Sequence, residues 1–242
     1  MKYSNLKSSA FGIIFAATGA ISTLVADPLL PSGAVMAPFI GSLTSGSVVA
    51  SDLSSFAAST VSGQVGVTVL SGVGTNPLGG LTFVYEVMNL STSGTEGITS
   101  FGLDGWAGVD MDIVTGDSFF FSSGGTGVEE GFTYRTPDGN SILFDFPPGS
   151  SEPPIFAGEK SWQLIVYTNA TAFTVGNVWV DGWDFLDPSG GYTDGTFWSD
   201  SMTSFVAVGS VPDGGSTVLL FGIGFILMAL SLARAKLTVA RK

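Results

Sequence analysis

Apolar residues in the middle of this chain recur at every second position, a period that suits strands and argues against amphipathic helices. Residues 64–73 place Val65, Val67 and Val69 on one face. Residues 81–87 bring Leu81, Phe83, Tyr85 and Val87 together, and residues 162–168 align Trp162, Leu164 and Val166. Each run reads as a half-buried strand. Residues 141–146, 172–181 and 203–208 add further strands, and Gly-rich breaks at 72–80 and 122–127 separate them. Short strands at this spacing predict an all-β domain, a single β-sandwich of jelly-roll or immunoglobulin-like type.

The ends of the sequence have a different character. Lys2 and Lys7 precede an uncharged run, residues 8–26, with Phe11, Ile13, Ile14 and Phe15 followed by the small residues Ala16, Ala17, Gly19 and Ala20. A basic start, an apolar stretch and small residues are the order of a secretory signal peptide. Cleavage is expected between Ala26 and Asp27, with cleavage after Ala20 as the alternative. At the other end, residues 217–233 carry no charge and are rich in Leu, Ile, Phe and Met. At about 1.5 Å per residue they come close to the ~30 Å of a hydrocarbon core, so one C-terminal transmembrane helix is expected. Arg234, Lys236, Arg241 and Lys242 follow and should stay on the cytoplasmic side, which places residues 27–210 outside.

Directly before that apolar run stands Val211-Pro212-Asp213-Gly214-Gly215-Ser216-Thr217. Pro212 interrupts regular structure, the two glycines open the backbone, and Ser216 or Thr217 can cap the helix that starts there. A short Pro-containing motif, an apolar helix and a basic tail, in that order, resemble the tripartite sorting signal of PEP-CTERM proteins, and among them the VPDSG variant. Gly214 stands where that variant has serine. The resemblance covers residues 211–242 only. It implies an exosortase, an integral-membrane cysteine transpeptidase-like enzyme, that recognises residues 211–217, cuts near them and passes the domain to the cell envelope or to an exopolysaccharide-containing matrix. Pro212 and Asp213 would then be recognition residues of a substrate. A plain membrane anchor on a flexible stalk is the simpler alternative for the same residues.

Placing the charges restricts the partners of the middle. All 20 acidic residues lie from Asp27 to Asp213, a stretch whose only basic residues are Arg135 and Lys160, so its formal charge is -18. Such a surface repels phosphate backbones and excludes nucleic acid. A solvated acidic coat is the plain explanation, and cation binding the chemical one.

The chain has no histidine and no cysteine, which removes imidazole bases, thiol nucleophiles, Cys/His zinc sites and the Ser-His-Asp triad. A carboxylate-pair glycosidase survives that cut. The expectation is nevertheless a non-enzymatic surface or matrix protein, with a calcium-dependent carbohydrate-binding module as the alternative and the glycosidase third. Calcium takes oxygen ligands from closely spaced acids and loop carbonyls. Two clusters qualify, Asp104 with Asp110 and Asp112, and Asp181 with Asp184 and Asp187. Of the five tryptophans, Trp162 and Trp179 sit in apolar alternations and are expected to be buried, while Trp183 and Trp198 lie beside Asp- and Gly-rich loops and are the candidates for stacking on a glycan.

Overall fold

Alternating Val, Ile, Phe and Tyr, interrupted by glycine and short polar loops, folds into strands throughout the computed structural model, which describes residues 27–41, 43, 45–58, 61–92, 96–117, 121, 127–146, 154–184 and 196–209. In chain order these are β1 (Asp27–Pro28), β2 (Ala34–Val35), β3 (Ser47–Ala58), β4 (Val61–Ser71), β5 (Thr82–Asn89), β6 (Glu96–Asp104), β7 (Met111–Gly116), β8 (Gly127–Val128), β9 (Phe132–Arg135), β10 (Ser141–Asp145), β11 (Ile155–Phe156), β12 (Lys160–Ser161), β13 (Gln163–Thr168), β14 (Ala172–Asp184) and β15 (Thr196–Val208). The all-β expectation is met. Among the described residues no helix is long and apolar enough to cross a membrane. The signal segment 1–26, the sorting motif 211–217, the apolar run 217–233 and the basic tail all lie outside the described residues.

The strands form two sheets consistent with a β-sandwich. The eight-stranded sheet runs β3-β4-β5-β13-β7-β1, with β12 beside the end of β5 and β8 beside β12. The seven-stranded sheet runs β15-β14-β6-β10-β9-β2, with β11 against the start of β6. Pairing is antiparallel except between β12 and β8. The chain crosses between sheets at five of the nine steps from β5 to β14, and only β9–β10 is a hairpin of directly paired successive strands over that span. At one edge the sheets are pinned together, because Ser54 Oγ on β3 donates to the Thr203 carbonyl of β15 at 2.7 Å and the Ala57 amide donates to an Asp200 carboxylate oxygen at 2.9 Å. At the other edge the link from β1 to β2 carries the chain across.

The core lies between the sheets. Val65, Val67, Val69, Phe83, Tyr85, Leu164 and Val166 face Ile98, Phe101, Leu103, Ile142, Phe144, Val178 and Val180, all fully buried. Its aromatic spine runs from Trp106 edge-on to Phe83 (5.2 Å between ring centroids), and from Tyr85 to Phe101 (5.7 Å) and Phe144 (6.0 Å). The expectation of half-buried strands fails for the eight-stranded sheet. Leu70, Val84, Val114, Ile165 and Tyr167 form a second buried cluster on its outer face. Ile40 and Leu43 pack over it, held in place where Thr115 donates to Pro38 and Ile40 donates to Thr115. Among the described residues the eight-stranded sheet is therefore covered on its inner side and, over β4, β5, β13 and β7, on its outer side as well, whereas the seven-stranded sheet is covered on its inner side only.

Both basic residues of the domain are interior. Arg135 is 6% exposed and donates to four backbone carbonyls, those of Leu29, Trp106, Val109 and Gly139, at 2.8–3.1 Å. Lys160 is 7% exposed, lies 3.5 Å from the fully buried Glu86 carboxylate and donates to the Phe121 carbonyl. A guanidinium keeps its charge and its five donors when buried, so removing it orphans several acceptors at once. Arg135→Met should lower the unfolding free energy by roughly 3 kcal/mol or more in a denaturant titration. A loss below about 1 kcal/mol would mean that those carbonyls are satisfied in another way.

Candidate functional site

Among the described residues the outer face of the seven-stranded sheet is open, and the register builds it row by row. One row runs Trp179 (β14), Gly102 (β6), Leu143 (β10), Tyr134 (β9). The next runs Ser199 (β15), Asp181, Ser100, Asp145, Phe132. Beyond a bulge at Asp181/Gly182, Trp183 pairs with Gly97 and Gly97 with Phe156. Burial alternates to match. Ile142 and Phe144 are buried while Leu143 and Asp145 are partly open, and Val178 and Val180 are buried while Trp179 and Asp181 are partly open. A bulge re-aims the side chains beyond it without breaking the sheet.

Two local features give this face its aromatic surface. Gly102 carries no side chain, and the Trp179 indole lies across its bare Cα: a Cβ there would meet Trp179 Cε2, Cζ2 and Cδ2 at 2.0, 2.1 and 2.6 Å. The ring rests flat on the sheet. Strand β9 is inverted relative to hydrophobic expectation, with Thr133 and Arg135 buried inside and Phe132 and Tyr134 outside, 42% and 38% exposed and 6.1 Å apart between ring centroids. Arg135 explains the inversion, because its four carbonyl partners lie inside and a one-residue slip would turn its charge out and the aromatics in.

Carboxylates sit among these rings. Asp181 and Asp145 flank Ser100, one strand to either side, and burial pushes each carboxyl above its ordinary range, with the Ser199 hydroxyl opposing the rise at Asp181. Asp104, on the same face, accepts from Ser141 Oγ at 2.7 Å.

The first predicted calcium cluster is not assembled among the described residues, and the second lies mostly outside them. Asp104 belongs to the open face, whereas Asp110 and Asp112 line a cleft of about 390 Å³ at the β1–β2 edge, together with Arg135 and Asp138. Asp110 is committed to Asn169, accepting from its Nδ2 at 2.8 Å and donating its own amide to Oδ1 at 3.1 Å. Asp112 is buried at the pairing of β7 with β1. Hydrogen bonds from Thr136 and from the Asn140 amide hold the exposed Asp138 carboxyl below its usual range. No group of three acidic side chains gathers at metal-binding geometry among the described residues, though the side chain of Asp184 and all of Asp187 lie outside them.

The tryptophans sort differently from expectation. Trp183 is 39% exposed, as predicted. Trp198 stands on β15 opposite Gly182, its side chain outside the described ones. Trp162 and Trp179 are only half-buried, because one leans on Phe39 at 4.8 Å and the other on Gly102 at the surface of a sheet. Among the described tryptophan side chains, Trp106 alone is fully buried. Phe132, Tyr134 and Asp145 escaped the sequence reading. Aromatics two residues apart normally point to a core, and only the Arg135 beside them hinted otherwise.

No family model, curated protein or solved structure matches the chain.

One acidic side chain stands apart from the open face. Glu130, in the passage from β8 to β9, is 2% exposed, and neither carboxylate oxygen pairs with another described residue. Burial pushes its carboxyl from 4.5 to about 8, against a smaller opposing contact with its own backbone and with a minor push from Glu129. Folding favours the protonated form. The stability it contributes is complete below the unfolded value and is lost as pH rises through the folded one. Each tenfold change in proton affinity is worth about 1.4 kcal/mol. Glu130→Gln should therefore match the wild type near pH 4 and exceed it by on the order of 4 kcal/mol near pH 9. Equal stability at both pH values in paired denaturant titrations would show that Glu130 ionises freely.

Proposed function

We propose that this is an exported cell-surface or extracellular-matrix protein whose β-sandwich is a non-catalytic module with a structural or adhesive role in the envelope or biofilm. The observation that carries the reading is the ordered run of residues 211–217, the apolar segment 217–233 and the basic cluster from Arg234 to Lys242, in a sequence that opens with a signal-peptide pattern. An exosortase-like membrane enzyme is the processing partner. The acidic domain fits an external life, since burial of Arg135 and Lys160 leaves no basic side chain on the surface of residues 27–210, and a uniformly charged surface resists association with copies of itself.

We assign the sandwich to the jelly-roll type. The support is its repeated crossing between sheets, with β5, β13 and β7 adjacent in one and β14, β6 and β10 in the other, whereas an immunoglobulin-like sandwich keeps more successive strands as neighbours.

Among the alternatives, carbohydrate binding gains from the aromatic and carboxylate face. The calcium requirement attached to it gains nothing from the described carboxylates. A glycosidase would need its pair enclosed around a sugar bond, and Asp145 and Asp181 stand on an open sheet.

Mass spectrometry of the mature protein from its native host tests the sorting. The expected result is loss of residues 1–26 together with a C-terminus inside or just after residues 211–217. A C-terminus intact at Lys242 would reduce the segment to an anchor.

A further inference from the structure

We propose that the outer face of the seven-stranded sheet is a binding platform for an uncharged polysaccharide, on which Trp179, Tyr134 and Phe132 stack against sugar rings while Asp145 and Asp181 accept hydrogen bonds from their hydroxyls. The proposal rests on the reading of the chain as a surface protein only for the place where it meets its ligand.

The two sheets are treated unequally. Ile40 and Leu43 cover an apolar cluster on the outer face of the eight-stranded sheet, whereas among the described residues the seven-stranded sheet keeps an open face bearing several large aromatics. Hydrophobic burial alone would place Phe132 and Tyr134 inside, and the fold instead holds them outside. Trp179 is held by the sheet beneath it, with one face of the indole on Gly102. A rigid ring of this kind offers contact area at little cost in conformational freedom on binding. Across three strand spacings of about 4.8 Å, the backbones carrying Trp179 and Tyr134 stand roughly 14 Å apart on one row, with the indole reaching over β6 between them, and the pair Asp181 and Asp145 lies along the neighbouring row. That is a strip for an extended polymer and not a pocket for a small metabolite.

Chemistry decides the ligand class. A sugar ring presents C–H groups on its faces and hydroxyl donors around its edge. The negative face of an aromatic ring suits the first, and a carboxylate acceptor suits the second. Asp145 and Asp181 are already partly desolvated, so contact with a hydroxylated ligand removes less water from them than from a free carboxylate. A sulfated, phosphorylated or uronate polymer would meet Asp104, Asp145 and Asp181 with no compensating cation, because Arg135 and Lys160 are both inside. An uncharged polymer escapes that repulsion.

The test uses the full chain in a zwitterionic detergent, titrated with cellohexaose, laminarihexaose and soluble mannan as neutral probes and with alginate as the anionic one, read by tryptophan fluorescence and calorimetry. At least one neutral probe should bind, alginate should not, and Tyr134→Ala and Asp145→Asn should each weaken binding about tenfold or more. Both positions are open or half-open, so melting temperatures should stay near the wild type and report that the fold is intact. Because Tyr134→Ala and Asp145→Asn act independently, failure of one variant to fold leaves the other to decide. Three results would overturn the platform: no neutral probe bound, binding indifferent to both substitutions, or alginate bound as well as the neutral glycans. Cleavage of a probe would overturn the non-catalytic reading. A chain correctly trimmed at both ends but indifferent to every glycan would sink the platform and leave the sorting proposal standing.

Discussion

The buried guanidinium of Arg135 is the contact on which the architecture turns. It joins the carbonyls of Leu29, Trp106, Val109 and Gly139, and so fastens the β1–β2 crossing, the turn before β7 and the β9–β10 hairpin at one point. A charge of this kind is tolerated inside only when its donors are occupied. Satisfying them fixes the register of β9, and the register sends Phe132 and Tyr134 outward. A demand made in the interior thereby shapes the exterior.

Withdrawal of Arg135 and Lys160 has a second consequence. With both cations inside, the described residues present acidic side chains and no basic one at the surface, which disfavours contact with anionic groups more sharply than net charge alone. The open sheet adds direction to that selectivity. Its carboxylates are spread among aromatic side chains, an arrangement suited to hydroxyl-rich ligands and poorly suited to hard cations, which need several oxygens converging on one point.

Much of the sandwich was legible in the sequence, and the parts that were not have physical reasons. β4, β5, β10, β13 and β14 announce themselves because an apolar residue stands at every second position, as with Val65, Val67 and Val69. β3 carries no two-residue apolar period, because most of the strand is exposed and only Phe56 is buried in the core. β7 hides its period because it is buried on both faces, and Asp110 and Asp112 draw attention to chemistry where that strand begins; β6 hides it because the register shift at Thr99 breaks the alternation between Ile98 and Phe101. The candidate face was legible only in fragments. Trp183 was identified, but Trp179 over Gly102 and the row from Asp181 to Phe132 exist only through cross-strand register, which joins residues dozens of positions apart. The first calcium cluster joins residues that the fold separates, since β6 and β7 carry Asp104 and Asp112 into different sheets, while of the second cluster only Asp181 has its side chain among the described ones.

The most direct test of this account is residue-resolved oxidative footprinting of the folded chain. If Arg135 sets the register of β9, Phe132 and Tyr134 will label at rates near those of the denatured chain, while Phe144 and Tyr85 stay protected until the protein unfolds. Protection of Phe132 and Tyr134 alongside Phe144 and Tyr85 would place them in the core, and would contradict both the inverted strand and the face built on it.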